Sequence, residues 1–228
     1  IYTNQMFKLF YKKNDNTNLF KEFNNIGIKN VQNYIPLYGN FFNLQENNYG
    51  IINLNQKYHI SSVKKTEHKN IFNCELNCKL VTNKNETFFK FSPLIDPVKY
   101  MVGKYKNVND KKTHLPQLSS NKCIKKVLDP NNAAYVDGFF TYLTSNLLHH
   151  HKFIHGLDFY GSFLAIHKKY TIDVIDDIEY LNESKYFREN KNVLFDINID
   201  EKLLFNDTFT RNYRKKLKID KVITLDPP

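Results

Sequence analysis

One lysine, Lys90, stands inside an aromatic run at 88–91 (FFKF) that is typical of a β-strand. A lysine in such a run loses hydration free energy unless its ammonium reaches solvent or an anion. Because side chains alternate along a strand, Phe89 and Phe91 are expected to share one face. Phe88 and Lys90 then share the other face. Two interpretations stay open: Lys90 reaches solvent from an edge strand, or its ammonium binds phosphate.

The segment that carries Lys90 is predicted to be an antiparallel β-meander. Strands are expected over 57–63, 70–81 and 87–91, because apolar residues alternate or cluster there between turn residues. Residues 83–85 (NKN) are predicted to form the turn before the third strand. Lys90 would therefore lie on the last strand of the meander.

A strong helix signal follows Asp129 and Pro130, which suit the N-cap and first helical positions. We expect this amphipathic helix to run from about residue 131 to residue 148. Its apolar stripe is predicted to comprise Val136, Phe139, Phe140, Leu143 and Leu147. Residues 153–166 are predicted to form a β-hairpin or paired strands. The predicted fold class is α+β, with an antiparallel sheet and one main helix.

This order of elements, three strands with a lysine on the third and then a helix, resembles the N-terminal lobe of a protein kinase. The resemblance implies that Lys90 anchors the α- and β-phosphates of ATP. It also implies that Asp137, the only acid in the predicted helix, orients Lys90 through an ion pair. An acid near a helix N-terminus also stabilises the helix dipole, and this alternative stays open. The loop between the first two strands lacks glycine, so Lys64 and Lys65 are expected to flank the phosphates.

Five longer stretches carry a more specific resemblance: 88–97 (FFKFSPLIDP), 99–105 (KYMVGKY), 132–140 (NAAYVDGFF), 155–163 (HGLDFYGSF) and 176–181 (DDIEYL). They resemble the divergent serine/threonine kinases of giant nucleocytoplasmic DNA viruses, which are related to the poxvirus virion kinase. The resemblance covers roughly residues 50–185. It implies ATP and Mg²⁺ as cofactors, and virion or host proteins as substrates. It further implies a location in the virion or in the host cytoplasm, at the viral factory.

The motifs that complete phosphoryl transfer are not found in the sequence. No His-x-Asp followed by Asn occurs, and 155–158 (HGLD) has the wrong spacing for a catalytic loop. The chain is therefore expected to be the N-terminal lobe of a longer kinase. The alternative is a non-catalytic scaffold, built on the same lobe, that interacts with virion or host proteins. Three segments are predicted: an N-terminal extension (1–50), the kinase-like lobe (51–185) and a basic, weakly structured C-terminal segment (186–228).

Two clusters suggest metal ligands, but neither predicts a metal site. His149, His150, His151 and His155 are dense enough for zinc, although histidines at a helix end also cap carbonyls and face solvent. Asp173, Asp176, Asp177 and Glu179 are carboxylates of the kind that hold Mg²⁺ or Ca²⁺. No glycine shapes a ligand loop around them, so an acidic surface is the alternative.

Composition narrows the classes of partner. The net charge is +10, yet only Arg188, Arg211 and Arg214 are arginines among 33 basic residues. Lysine provides diffuse attraction, so acidic partners or non-specific nucleic acid are expected, and base-specific DNA recognition is not. Cys74, Cys78 and Cys123 are odd in number, which favours free thiols. No apolar run approaches the ~20 residues of a membrane helix.

Overall fold

The computed structural model describes residues 14–79, 81–107, 114–119 and 122–198. Over these ranges the chain forms short helices, short strands and one long helix, which confirms the α+β class. The helices are α1 (Thr17–Asn25), α2 (Pro97–Met101), α3 (Lys125–Leu128), α4 (Ala133–His151), α5 (Ile178–Glu183) and α6 (Lys185–Asn190). The strands are β1 (Ile28–Gln32), β2 (His59–Lys65), β3 (Ile71–Cys78), β4 (Val81–Phe88) and β5 (Leu164–His167). None of the helices in these ranges is long and apolar enough to cross a membrane.

The described residues divide into two compact units. The first takes in the described residues up to Pro97 and those from Tyr105 to Ile172. The second takes in Val98–Lys104 and the described residues from Asp173 onward. In the second unit, Gly103 has a φ of +81°, and a Cβ there would lie 2.6 Å from the ring of Tyr186. Both the positive φ and the lack of space for a Cβ therefore favour glycine at this position.

The predicted meander is present, with different strand bounds. Strands β2, β3 and β4 form an antiparallel sheet in that order. The predicted turn at 83–85 lies inside β4, and the chain reverses instead where Cys78 pairs with Val81. Asn and Lys are tolerated there because β4 is an edge strand whose side chains are mostly exposed. Lys90 lies two residues beyond the end of β4, so the prediction that it sits within the third strand is wrong.

A hairpin predicted over 153–166 is not formed. The end of this stretch belongs instead to strand β5 (Leu164–His167), which pairs antiparallel with β1. The chain after α4 instead folds back along the helix, where a Cβ on Gly156 would lie 2.4 Å from the carbonyl oxygen of Thr144. The partner of β5 lies more than a hundred positions earlier in the chain, so local alternation could not reveal it.

The long helix α4 begins at a different cap from the predicted one. Asn132, not Asp129, is the N-cap, and its side-chain oxygen accepts a hydrogen bond from Ala134 N at 3.1 Å. Asp129 instead accepts from Asn131 N in the turn before the helix. The helix continues to His151, where Lys152 ends it in the left-handed region with a φ of 58°.

The predicted apolar stripe of α4 is also wrong in part. Val136, Phe140 and Leu147 are exposed, and 64% of Phe140 is accessible. The buried face is formed by Tyr135, Tyr142, Ser145 and Asn146, with Phe139 and Leu143 packed beside them. Polar groups enter this face because the fold satisfies them: Tyr135 donates to Val127 O, and Ser145 Oγ accepts from Phe159 N.

The two largest of the apolar clusters in the described part of the first unit contain nine buried residues each. One joins α1 to the meander and comprises Leu19, Phe23, Ile26, Ile28, Ile60, Val63, Phe72, Cys74 and Leu76. The other lies under α4 and comprises Ile35, Leu37, Tyr38, Ile52, Leu54, Tyr135, Tyr142, Phe159 and Leu164. Residues 17–32, from the predicted N-terminal extension, thus supply side chains to the same core as the meander.

Candidate functional site

An ion pair joins the two residues that the sequence analysis selected for phosphate chemistry. Lys90 Nζ lies 2.7 Å from Asp137 Oδ2, within hydrogen-bond distance. The side chains are 63% and 46% exposed, respectively. A lysine ammonium carries three donors, and this carboxylate uses one of them. The remaining donors and the exposed position leave the ammonium able to bind an anion.

The aromatic neighbours of Lys90 hold its backbone in place. Phe89 N donates to Asn70 O at 2.8 Å, and the Phe89 ring lies 4.6 Å from the ring of Phe72. Phe91 packs against the same cluster, whereas Phe88 is 66% exposed. The predicted alternation is therefore confirmed: Phe89 and Phe91 face the core, while Phe88 and Lys90 face away from it.

Asp137 is positioned by the beginning of α4. Asn132 caps the helix with its side-chain oxygen, and its Nδ2 donates to Leu94 O and Lys126 O at 2.9 and 2.8 Å. Asn132 is only 4% exposed, so three hydrogen bonds fix the first turn of the helix. The carboxylate of Asp137 is then presented one turn further on. Asp137 makes an ion pair, so it does more than favour the dipole of the helix.

Lys64 and Lys65 lie at the end of β2, exposed, where the chain turns toward β3. This turn contains no glycine and is organised by Thr66, whose hydroxyl donates to Ile71 O at 2.6 Å. Asn70 takes the left-handed conformation there, with a φ of 67°. Among the described residues, no hydrogen bond or ion pair connects Lys64 or Lys65 with Lys90 or Asp137. Their predicted role beside the phosphates stays a prediction.

A second polar contact was not predicted from the sequence. His149 Nε2 in the last turn of α4 lies 2.9 Å from Asp158 Oδ1 in the segment that folds back along the helix. The sequence predicts His149 at a helix end and predicts no contact between it and Asp158. Their spacing of nine positions carries no signal for contact, because the reversal after Lys152 brings them together.

The other candidate ligands do not assemble into a metal site within the described ranges. No group of three or more His, Cys, Asp or Glu residues is placed there to hold an ion. His155 packs edge-on against Phe153, and Asp173 accepts from Ile175 N at 3.0 Å. The carboxylates of Asp176, Asp177 and Glu179 lie at the beginning of α5, where they favour the helix dipole.

The three cysteines are free thiols, and two of them are buried. Burial raises the pKa of Cys74 to about 11, although the Thr87 hydroxyl opposes this shift. Burial also raises the pKa of Cys123, whose Sγ donates to His114 O. Thiols with raised pKa values are poor nucleophiles at neutral pH, so neither residue supports covalent catalysis.

Comparison of the chain with known protein families, with curated proteins and with solved structures finds no match.

Proposed function

We propose that the first unit binds Mg-ATP and serves as the N-terminal lobe of a serine/threonine protein kinase of the giant-virus type. The observation that carries the proposal is the 2.7 Å contact between Lys90 Nζ and Asp137 Oδ2. It links the residues just after a three-stranded meander to the first turns of α4, the long helix of the unit. Kinases pair a phosphate-binding lysine with a helix glutamate, and here the shorter Asp137 takes the place of that glutamate.

The chemistry of the pair suits this role. Phosphoryl transfer depends mainly on positioning and on electrostatic stabilisation of the phosphate oxygens. Asp137 restrains the flexible Lys90 side chain while the exposed ammonium keeps donors for phosphate. Mg²⁺ would supply further neutralisation of the triphosphate when bound. The proposal covers nucleotide binding and phosphate orientation by this chain, since the sequence carries no catalytic-loop motif.

The substrates and the location of the complete kinase are proposed from sequence resemblance. Virion or host proteins, and action in the virion or the viral factory, follow from the resemblance of the five sequence stretches alone. The rival function is a non-catalytic interaction module built on the same lobe. A test of whether Lys90 binds nucleotide distinguishes the kinase lobe from the interaction module.

The test is a thermal shift of the full chain with Mg-ATP, repeated with Lys90→Met. At an ATP concentration of 100 times Kd, a ligand that binds only the folded state adds about 2.7 kcal/mol of stability. We expect the wild-type Tm to rise by several degrees and the rise to be lost in Lys90→Met. Lys125→Met, which removes an exposed lysine on α3, is the matched control and should keep the shift.

Two outcomes would contradict the proposal. One is the absence of any shift, and of binding by calorimetry, at millimolar Mg-ATP. The other is an equal shift in the wild type and in Lys90→Met, which would place nucleotide binding elsewhere. The first result favours the interaction module.

A further inference from the structure

We propose that a basic and aromatic surface at the end of β5 binds single-stranded nucleic acid without sequence preference. This surface, called here the β5-end surface, comprises His167, Lys168, Lys169 and Tyr170. It includes none of the residues assigned to the proposed nucleotide site, although His167 and Tyr170 lie against Phe91, which follows Lys90.

The aromatic part of the surface is held in a defined place. The His167 ring lies edge-on to Phe91 at 5.2 Å and to Tyr170 at 6.3 Å. Lys168 N donates to Gly27 O at 3.0 Å, which attaches the end of β5 to the turn before β1. Tyr170 is nevertheless 44% exposed, so its ring is accessible from solvent. A restrained, accessible ring is what a stacking base requires.

Two exposed lysines, Lys168 and Lys169, directly precede this ring. The stretch 164–172 (LAIHKKYTI) contains no acid, and the first acid after it, Asp173, accepts a hydrogen bond from Ile175 N. The β5-end surface therefore combines positive charge with an exposed aromatic ring.

Single-stranded nucleic acid satisfies both features at once. Its phosphates pair with lysines, and its unpaired bases stack on aromatic rings. An acidic peptide would use the lysines and leave the Tyr170 ring without a role. An exposed tyrosine also favours a membrane interface, so anionic vesicles are compared directly with the oligonucleotide in the test. Because the cations are lysines and not arginines, base-specific recognition is not expected.

The experiment measures fluorescence anisotropy of a labelled oligothymidylate of roughly 16 nucleotides, the upper end of a single-site footprint, with the full chain. We expect Tyr170→Ala to weaken binding about tenfold and Tyr170→Phe to retain it, since base stacking needs only the ring. Lys168→Gln/Lys169→Gln should lower the slope of log affinity against log salt by about 1.4, or 0.7 for each lost phosphate contact.

Lys125→Gln/Lys126→Gln is the matched control, because it removes two adjacent exposed lysines on α3. It should leave both the affinity and the salt slope near the wild-type values. The control also accounts for the basic run at 211–218 (RNYRKKLK), which all variants share.

Three results would overturn the proposal. Equal affinities of Tyr170→Ala and Tyr170→Phe for the oligothymidylate would show that no base stacks on the Tyr170 ring. Equal salt slopes of the two lysine variants would place the contacts elsewhere, for instance in the shared basic run. Tighter binding to duplex of the same length, or to phosphatidylserine vesicles, would replace a single strand by a general polyanion. The exposed lysine pair can be tested even if Tyr170→Ala does not fold.

Discussion

Lys90 and Asp137 are 47 positions apart in the sequence, and their charged atoms lie 2.7 Å apart. Both side chains are largely solvent-exposed, so water screens their attraction. An ion pair of this kind contributes little to folding. Its consequence is geometric, since it restrains a long lysine side chain at the surface of the first unit.

The first prediction concerns the stability of this pair. In a double-mutant cycle of Lys90→Met and Asp137→Asn, we expect a coupling free energy of about 0.2–1 kcal/mol, measured by urea unfolding. The coupling should shrink at molar salt because the exposed charges are screened. A coupling of several kcal/mol that persists in salt would show that the pair is a structural element, and would weaken the case for a binding role.

The second prediction concerns the beginning of α4. Asn132→Ala removes the cap and leaves Leu94 O and Lys126 O without their donor. We expect a loss of roughly 2–4 kcal/mol in the free energy of unfolding. Asn132→Asp keeps the capping acceptor and loses the two donated bonds, so its loss should be distinct from that of alanine. A loss below 1 kcal/mol in Asn132→Ala would contradict the three-bond role.

The third prediction concerns thiol reactivity. Cys74 is buried and its pKa is raised to about 11, and the pKa of Cys123 is raised as well, so both stay protonated at neutral pH. Cys78 is half-buried at the end of β3. We expect an aromatic disulfide reagent to modify Cys78 first in the native protein, and all three thiols only in denaturant. Rapid modification that survives Cys78→Ser would disprove this order.

The fourth prediction concerns pH. Burial, and then the charge of Lys65, lower the pKa of His167 from its usual 6.5, so the unfolded state binds a proton more readily than the folded state. The stabilising effect of neutral His167 is complete above about 6.5 and is lost as the pH falls toward the lowered folded value. We expect the free energy of unfolding to fall in this window and to fall less steeply in His167→Gln. Identical slopes of the free energy of unfolding against pH in the wild type and in His167→Gln would show that His167 does not cause this loss of stability.

Local patterns determined much of the fold and part of the candidate site. The α+β class, the antiparallel meander and the outward direction of Lys90 followed from alternation, turn residues and composition. The choice of Asp137 needed only the resemblance to a kinase lobe and the fact that the predicted helix held a single acid. The contact between them is present in the structure, whereas their role in nucleotide binding stays a prediction.

The tertiary structure decided which faces are buried and which distant residues meet. Val136, Phe140 and Leu147 were expected in the core, yet α4 buries Tyr135 and Tyr142. The Tyr135 hydroxyl finds its acceptor, Val127 O, on a different helix. The pairing of β5 with β1 likewise needed a partner far along the chain.

The same limit applies to the functional surfaces. The contacts of Phe91 with His167 and of His149 with Asp158 have no counterpart in local sequence spacing. Propensity and periodicity act over a few residues, so the sequence determined the class and order of the main elements and the outward direction of Lys90. Contacts between those elements depend on how the whole chain packs, and only the tertiary structure could decide them.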